Sequence, residues 1–212
     1  MHEADGFRTT KVAEPLGADE IHVWRLARPK GAKRAPLQDL LARYLAVDAA
    51  SVELVAGAHG RPRLAGVLAG ALDFNWSHSG ELALVALARG IAPGIDVEQL
   101  RTRASALDIA ERFFTAAEAA WLRTLAGERQ QRAFFELWTA REAVLKADGR
   151  GIAFGLDHLA FAATPRGMRL DRLDGDDPDA WQVEPVAVGA AAVATLAWRG
   201  EPRRVRRFTL AE

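Results

Sequence analysis

The sequence contains no cysteine, which excludes disulfide frameworks, thiolate nucleophiles and Cys-ligated zinc or iron–sulfur centres. Net charge is also missing, since 28 Lys plus Arg balance 28 Asp plus Glu. Non-specific nucleic-acid binding needs a basic excess, so no nucleic-acid partner is expected, although a local patch can still grip one small anion. Long apolar runs are absent. The longest nearly apolar stretch, Val186 to Trp198, has 13 residues, against about 20 for a membrane-spanning helix, so no membrane association is expected. The opening MHEADGFRTTKVAEP carries charges throughout and no apolar core, so a secretory signal is not expected and a cytoplasmic location is. P-loop, G-x-G-x-x-G and H-E-x-x-H patterns do not occur, and the five histidines show no ligand spacing. Neither Ser77 nor Ser79 follows a Gly at the position a G-x-S-x-G nucleophile elbow requires.

What remains is a chain of 212 residues, half of them apolar, enough for one large domain or two lobes of about a hundred residues each. Residues 1–20 are polar without a sustained period and read as a loosely attached tail. Alternation over Ile21 to Leu26 predicts a strand, and Leu37, Leu40, Leu41, Tyr44 and Leu45 recur at helical spacing. The apolar run Leu82 to Ala88 predicts a strand buried on both faces. Pro93-Gly94 marks a break between an N-terminal lobe over 21–92 and a C-terminal lobe over 93–212. In the second half, Thr115-Ala-Ala-Glu118 fits a capping box at a helix start. A longer helix from about Arg129 to Ala147 carries Phe134, Leu137, Trp138, Val144 and Leu145 on one stripe. Strands are expected at Leu156–Ala162, Trp181–Val186 and Ala191–Trp198. The fold class is therefore mixed α/β.

Three groups of side chains can carry chemistry. Asp96 and Glu98 lie two apart on an expected strand, so both carboxylates share a face while Ile95 and Val97 take the other. Paired carboxylates suit Mg²⁺, which takes one or two of them plus substrate phosphate; a simple solvated strand face fits the pattern as well. Glu142 and Lys146 are four apart on the long helix, on the side that also carries Trp138. That spacing is common for surface ion pairs, but charges on the core side of a helix usually have a partner or a task. The third group is Gly60-Arg61-Pro62 with Ser77-His78-Ser79, a stiff turn and a polar strand able to offer donors to a phosphate. The same residue types also collect in turns for backbone reasons alone. Arg203, Arg204, Arg206 and Arg207 read as a solvated edge.

The order of the motifs is more specific than any one of them. G-R-P, F-N-W-S-H-S-G-E-L-A-L-V-A, G-I-D-V-E, R-F-F-T-A-A-E and W-T-A-R-E-A-V-L-K-A-D-G-R-G-I follow one another between about residues 57 and 160. This series resembles the surfactin-type 4′-phosphopantetheinyl transferases. The resemblance implies a fold of two similar α/β lobes with pseudo-twofold symmetry in one monomeric chain. It implies transfer of the phosphopantetheine arm of coenzyme A to a Ser of an apo acyl or peptidyl carrier protein, releasing adenosine 3′,5′-bisphosphate. On the matching positions it implies Mg²⁺ ligands at Asp96, Glu98 and Glu142, with Glu142 also the general base and Lys146 on the phosphates. It places Arg61, Pro62, Ser77, His78 and Arg141 with the coenzyme A contacts. Two departures stand out. Arg141 occupies a position where Lys is usual, and only some twenty residues separate Trp24 from Tyr44 where the family has a longer Arg-rich stretch. Gln38 stands where Arg is common, leaving Arg28, Lys30, Lys33 and Arg34 as candidate nucleotide contacts. A catalytically weak relative that binds coenzyme A or a carrier protein is the alternative expectation, and a Mg²⁺-dependent phosphoesterase a third.

Overall fold

The computed structural model describes residues 6–10, 12–29, 31 and 33–210. Among these the chain runs through β1 (Arg8–Thr10), β2 (Glu20–Ala27), α1 (Ala35–Leu45), β3 (Leu54–Ala56), β4 (Pro62–Leu64), β5 (Asp73–Ser79), β6 (Leu82–Ala88) and β7 (Gly94–Gln99). It continues through α2 (Ala106–Phe113), α3 (Ala116–Arg123), α4 (Gly127–Asp148), β8 (Leu159–Thr164), β9 (Gly167–Leu173), β10 (Trp181–Pro185), β11 (Ala192–Arg199) and β12 (Arg204–Leu210). One sheet has the strand order β1-β12-β2-β6-β5 and a second the order β10-β11-β7. Small hairpins β3–β4 and β8–β9 flank them.

Strand alternation divides the apolar side chains between three layers of core. Trp24, Leu26, Ala83, Val85 and Leu87 on one face of the first sheet pack with Leu37, Leu40 and Leu41 of α1. Ile21, Val23, Leu84 and Ala86 on its other face meet Ile95, Val97, Leu196 and Trp198 of the second sheet. Val193 and Ala197 on the far face of that sheet join Phe134, Leu137, Val144 and Leu145 of α4. The result is a layered order of helix, sheet, sheet, helix. β6, buried from Ala83 to Ala88, lies inside the first sheet and supplies both of its faces.

The chain ends depart from the expected organisation. The 1–20 segment is not a loose polar tail over its described part, because Phe7 is fully buried in the inter-sheet core and Arg8–Thr10 pair with Phe208–Leu210. The last strand also leaves the C-terminal lobe. β12 inserts between β1 and β2, parallel to both, with Val205 opposite Ile21 and Phe208 opposite Trp24. Its arginines do not form a free edge: Arg204 pairs with Glu20 at 2.6 Å, Arg206 pairs with Glu14, and Arg203 donates to the Ala18 and Arg89 carbonyls. The helix α2 and the strand β9 go beyond the elements that periodicity predicts, and the strand expected from Leu156 begins three residues later.

Helix positions follow from specific residues. The capping box forms in full at α3, where Thr115 Oγ1 accepts from the Glu118 N–H and the Glu118 carboxylate accepts from the Thr115 N–H at 2.8 Å. Gly149 ends α4 in a left-handed conformation (φ +86°), its N–H donating to the Leu145 carbonyl. Gly94 sets how close α4 can lie to β7. A Cβ there would sit 1.9 Å from the Ala143 oxygen and 2.6 Å from the Ala147 nitrogen, both backbone atoms. We therefore expect Gly94→Ala to cost about 3 kcal/mol through overpacking that side-chain motion cannot relieve. In a thermal melt that is a fall of roughly 10 °C, and the site described next should lose its geometry with it, because α4 and β7 carry its two halves.

Candidate active site

The site lies where β5, β7 and α4 meet. On β7, Asp96 is 5% exposed and faces α4, while Ile95 and Val97 enter the inter-sheet core. Thus the two-residue periodicity of the strand places Asp96 and Glu98 on the predicted face. From α4, Glu142 is 8% exposed and Lys146 half-buried. The Lys146 ammonium donates to Asp96 Oδ1 at 2.6 Å and to the Ile95 carbonyl at 3.2 Å. Asp96 Oδ2 and Glu142 Oε1 are buried and have no hydrogen-bond partner among the described residues. Burial pushes the Glu142 carboxyl up to about 7; the Lys146 charge opposes that shift, and the Asp96 and Glu98 carboxylates add to it.

These features test whether the residues fit a divalent cation. Among the described residues no three His, Cys, Asp or Glu side chains already converge as a cage. A cage is not what Mg²⁺ needs, since it binds through one or two carboxylates and keeps water or phosphate in its other positions. Two buried, unpaired carboxylate oxygens are costly in a folded protein unless something positive meets them. The Asp96 and Glu98 carboxylates add to the burial that raises the Glu142 pKa, as acids close to one another do. The donor set, all hard oxygens, fits Mg²⁺.

Beside the carboxylates opens a cavity of about 230 Å³ whose wall includes Arg34, His59, Arg61, Pro62, Trp76 and Lys146. Four of these side chains are basic, which makes this the anion-receptive part of the cleft. Arg34 from the shortened N-terminal stretch reaches it. Arg28 lies close enough to His78 to help burial push that imidazole's pKa down, as Lys146 also does. His78 itself is exposed at the end of β5. Lys30 lies outside the described residues. Gln38 is used elsewhere, donating to the Val52 carbonyl at 3.1 Å. A groove of about 430 Å³ lined by Arg132, Glu136 and Met168 contains none of the residues expected at the site.

Three of the expected coenzyme contacts do something else. Arg61 donates to the Lys146 carbonyl and, at 2.9 Å, to the carbonyls of Phe74 and Pro93. Its guanidinium thereby caps the C-terminal turn of α4 and ties it to the start of β5 and the approach to β7, so it serves first as a clamp between lobes. Ser77 directs its hydroxyl to Asp96 Oδ1 at 2.7 Å. Arg141 is fully buried on the opposite side of α4 from the cleft, paired with Glu118 and donating to the Leu156 carbonyl at 3.1 Å. Its guanidinium also lies 4.0 Å from the Phe114 ring centroid. A group enclosed in that way cannot reach a ligand in the cleft, and the assignment of Arg141 to coenzyme A is corrected accordingly.

Asn75 escaped the sequence reading, and Ser79, expected there to offer a donor to a phosphate, is engaged with β7 instead. Ser79 donates to Glu98 Oε2 at 3.0 Å and accepts from the Gln99 N–H, and Asn75 Oδ1 accepts from the Ile95 N–H at 2.9 Å. Their signal was the period of two in Asn75, Ser77 and Ser79, three polar residues on one face of a strand whose other face is aromatic. His59 was also missed. It is a non-glycine residue at φ +51°, packed against Gly151 in the wall of the cavity.

A family model described as the 4′-phosphopantetheinyl transferase superfamily matches residues 92–197, half of the chain and the part that contains Asp96, Glu98, Glu142 and Lys146. The 4′-phosphopantetheinyl transferase HetI of Nostoc is 36% identical over 174 residues, covering 79% of this chain and 71% of HetI. The putative 4′-phosphopantetheinyl transferase slr0495 of Synechocystis is 36% identical over 126 residues, 59% of this chain and 51% of that protein. The enzyme psf-1 of Bacillus pumilus is 41% identical over 101 residues, 47% and 42% of the two chains. Matched by the family model across the strand and helix that build the carboxylate site, and by HetI across most of both chains, this chain belongs to the 4′-phosphopantetheinyl transferase superfamily.

Proposed function

We propose that this transferase moves 4′-phosphopantetheine from coenzyme A to a serine of an apo acyl or peptidyl carrier protein, with Mg²⁺ held by Asp96, Glu98 and Glu142. The observation that supports this reading most directly is the pair of buried, unpartnered oxygens, Asp96 Oδ2 and Glu142 Oε1, next to Lys146, which joins Asp96 to the basic cavity wall. When bound there, Mg²⁺ would supply neutralising charge to the pyrophosphate of coenzyme A.

The protein's own groups account for the other requirements. The cavity wall of Arg34, His59 and Lys146 receives the phosphates of the nucleotide, with Arg61 clamping the segments that hold it in place. His78, held neutral by its lowered pKa, offers a donor or acceptor at the rim without adding charge. Lys146, anchored by Asp96 and the Ile95 carbonyl, keeps a further donor for a phosphate oxygen. The Glu142 carboxyl, raised to about 7 without a cation, would be lowered by one bound beside it, and would take up the serine proton on the oxygen that the cation leaves open. In the transfer, the carrier serine oxygen bonds to the phosphorus that carries the pantetheine arm, and its proton passes to Glu142. The bond from that phosphorus to the bridging oxygen breaks, and adenosine 3′,5′-bisphosphate leaves with that oxygen. No covalent intermediate on the protein is required, consistent with a chain that has no cysteine and no serine elbow.

Intact-mass spectrometry of an apo carrier protein incubated with this protein, coenzyme A and Mg²⁺ tests the proposal. The expected result is a gain of one phosphopantetheine that EDTA abolishes. No gain across a panel of carriers, with coenzyme A binding confirmed, would leave a binding protein in place of an enzyme. Release of nucleotide with no carrier present would indicate a phosphoesterase.

A further inference from the structure

β5 and β7 belong to different sheets, and what joins them at the site is a row of side chains. Asn75, Ser77 and Ser79 project from one face of β5 and meet Ile95, Asp96, Glu98 and Gln99 in register. The two hydroxyls end on the two carboxylates that β7 contributes to the cation site. Each takes one oxygen of its carboxylate: Ser77 takes Asp96 Oδ1, and Ser79 takes Glu98 Oε2. Asp96 Oδ1 also holds the Lys146 ammonium, while Oδ2 stays buried and unpaired. A carboxylate on a short side chain has two equivalent oxygens and a broad terminal torsion. A hydroxyl at 2.7 Å on one oxygen removes that freedom and decides which oxygen is presented.

We propose that Ser77 and Ser79 are positioning residues that fix Asp96 and Glu98 in the orientation that receives the divalent cation. This rests on the assignment of the cation to these carboxylates under the proposed function. Ser79 is itself held by the Gln99 N–H, which leaves its single proton for Glu98 alone. Ser77, enclosed beside Asp96, thus acts through a carboxylate and not by gripping a phosphate. Hydrogen-bond partners of metal-ligating carboxylates commonly alter affinity by about 10- to 100-fold when removed.

Titration of the protein with Mn²⁺ alone, followed by the loss of the free-ion paramagnetic resonance signal, tests this without using activity. Ser77→Ala and Ser79→Ala should each weaken Mn²⁺ binding by about tenfold, and Ser79→Thr, which keeps the hydroxyl, should stay near the wild-type value. In transfer assays the alanine variants should need more Mg²⁺ for half-maximal rate, with KM for coenzyme A at saturating Mg²⁺ unchanged. The inference is overturned if cation affinity is unchanged in both variants. It is equally overturned if Ser77→Ala raises KM for coenzyme A at saturating Mg²⁺, since the hydroxyl then contacts the nucleotide. Failure of the wild-type protein to bind Mn²⁺ would sink the cation assignment itself, and the inference with it. Ser79 is partly exposed, so Ser79→Ala remains informative even if Ser77→Ala does not fold.

Discussion

Replacement of Glu142 by Gln is expected to give a protein that is more stable and almost inactive. The Glu142 carboxyl has an ordinary value of 4.5 and is raised to about 7 in the folded chain, first by burial and then by Asp96 and Glu98. The folded state therefore holds the proton more tightly than the unfolded state. Below pH 4.5 both states are protonated and the group contributes nothing; between 4.5 and 7 stability falls as pH rises; above 7 the whole cost is present. A shift of that size corresponds to about 3 kcal/mol, which for a chain of this length is roughly 6–12 °C. Melts in EDTA should thus show Glu142→Gln above the wild type at pH 8 and level with it near pH 4.5. Mg²⁺ should raise the wild-type melting temperature at pH 8 and leave the variant unmoved, because the cation takes the place of the missing proton. Transfer should fall by about 10²–10⁴-fold, the usual scale for loss of a general base. A variant that is less stable at pH 8 would remove the argument that Glu142 is held under electrostatic strain, and one with near-normal transfer would remove it from the chemistry.

The same residue shows what a sequence can and cannot disclose. Short-range geometry carries over directly: the two-residue period puts Asp96 and Glu98 on one face, and the four-residue spacing puts Glu142 and Lys146 on another, so the halves of the site were legible. The capping box at Thr115 was legible for the same reason, since its partners are three residues apart. Partners distant along the chain leave no such trace. Nothing in Arg204–Leu210 announces that it will lie between β1 and β2, where the Thr209 hydroxyl meets the Arg25 carbonyl 184 positions away. The cations fail in a related way. Arg61 and Arg141 both sit in the motifs that point to coenzyme A, yet one clamps carbonyls from three segments and the other neutralises Glu118. A guanidinium has five donors in a planar fork and will satisfy whatever acceptors the fold brings to it. Identity and motif position therefore told that a positive charge was needed there, and only the fold told what for.

Arg141 supplies the second large effect, because it separates support of the site from contact with substrate. Its guanidinium is enclosed in the core of the C-terminal lobe, and burial pushes its pKa down to about 10 although the Glu118 carboxylate pulls the other way. Glu118 is satisfied on every side: Arg141 and both the N–H and hydroxyl of Thr115 donate to Oε2, and the Phe161 N–H donates to Oε1 at 2.7 Å. The pair thus pins the start of α3, the middle of α4 and the start of the β8–β9 hairpin together, one residue along the chain from Glu142. Removing one member leaves the other charged and buried, which typically costs 3–5 kcal/mol or about 6–20 °C in a chain of this length. Glu118→Ala should show that loss in full. Pairing it with Arg141→Met should recover a large part, because two buried charges are then removed together and the methionine fills some of the space. At a temperature where Arg141→Lys remains folded, its KM for coenzyme A should match the wild type, whereas Lys146→Ala should raise it. A raised KM in Arg141→Lys with unchanged stability would return Arg141 to the nucleotide and overturn the role its burial assigns.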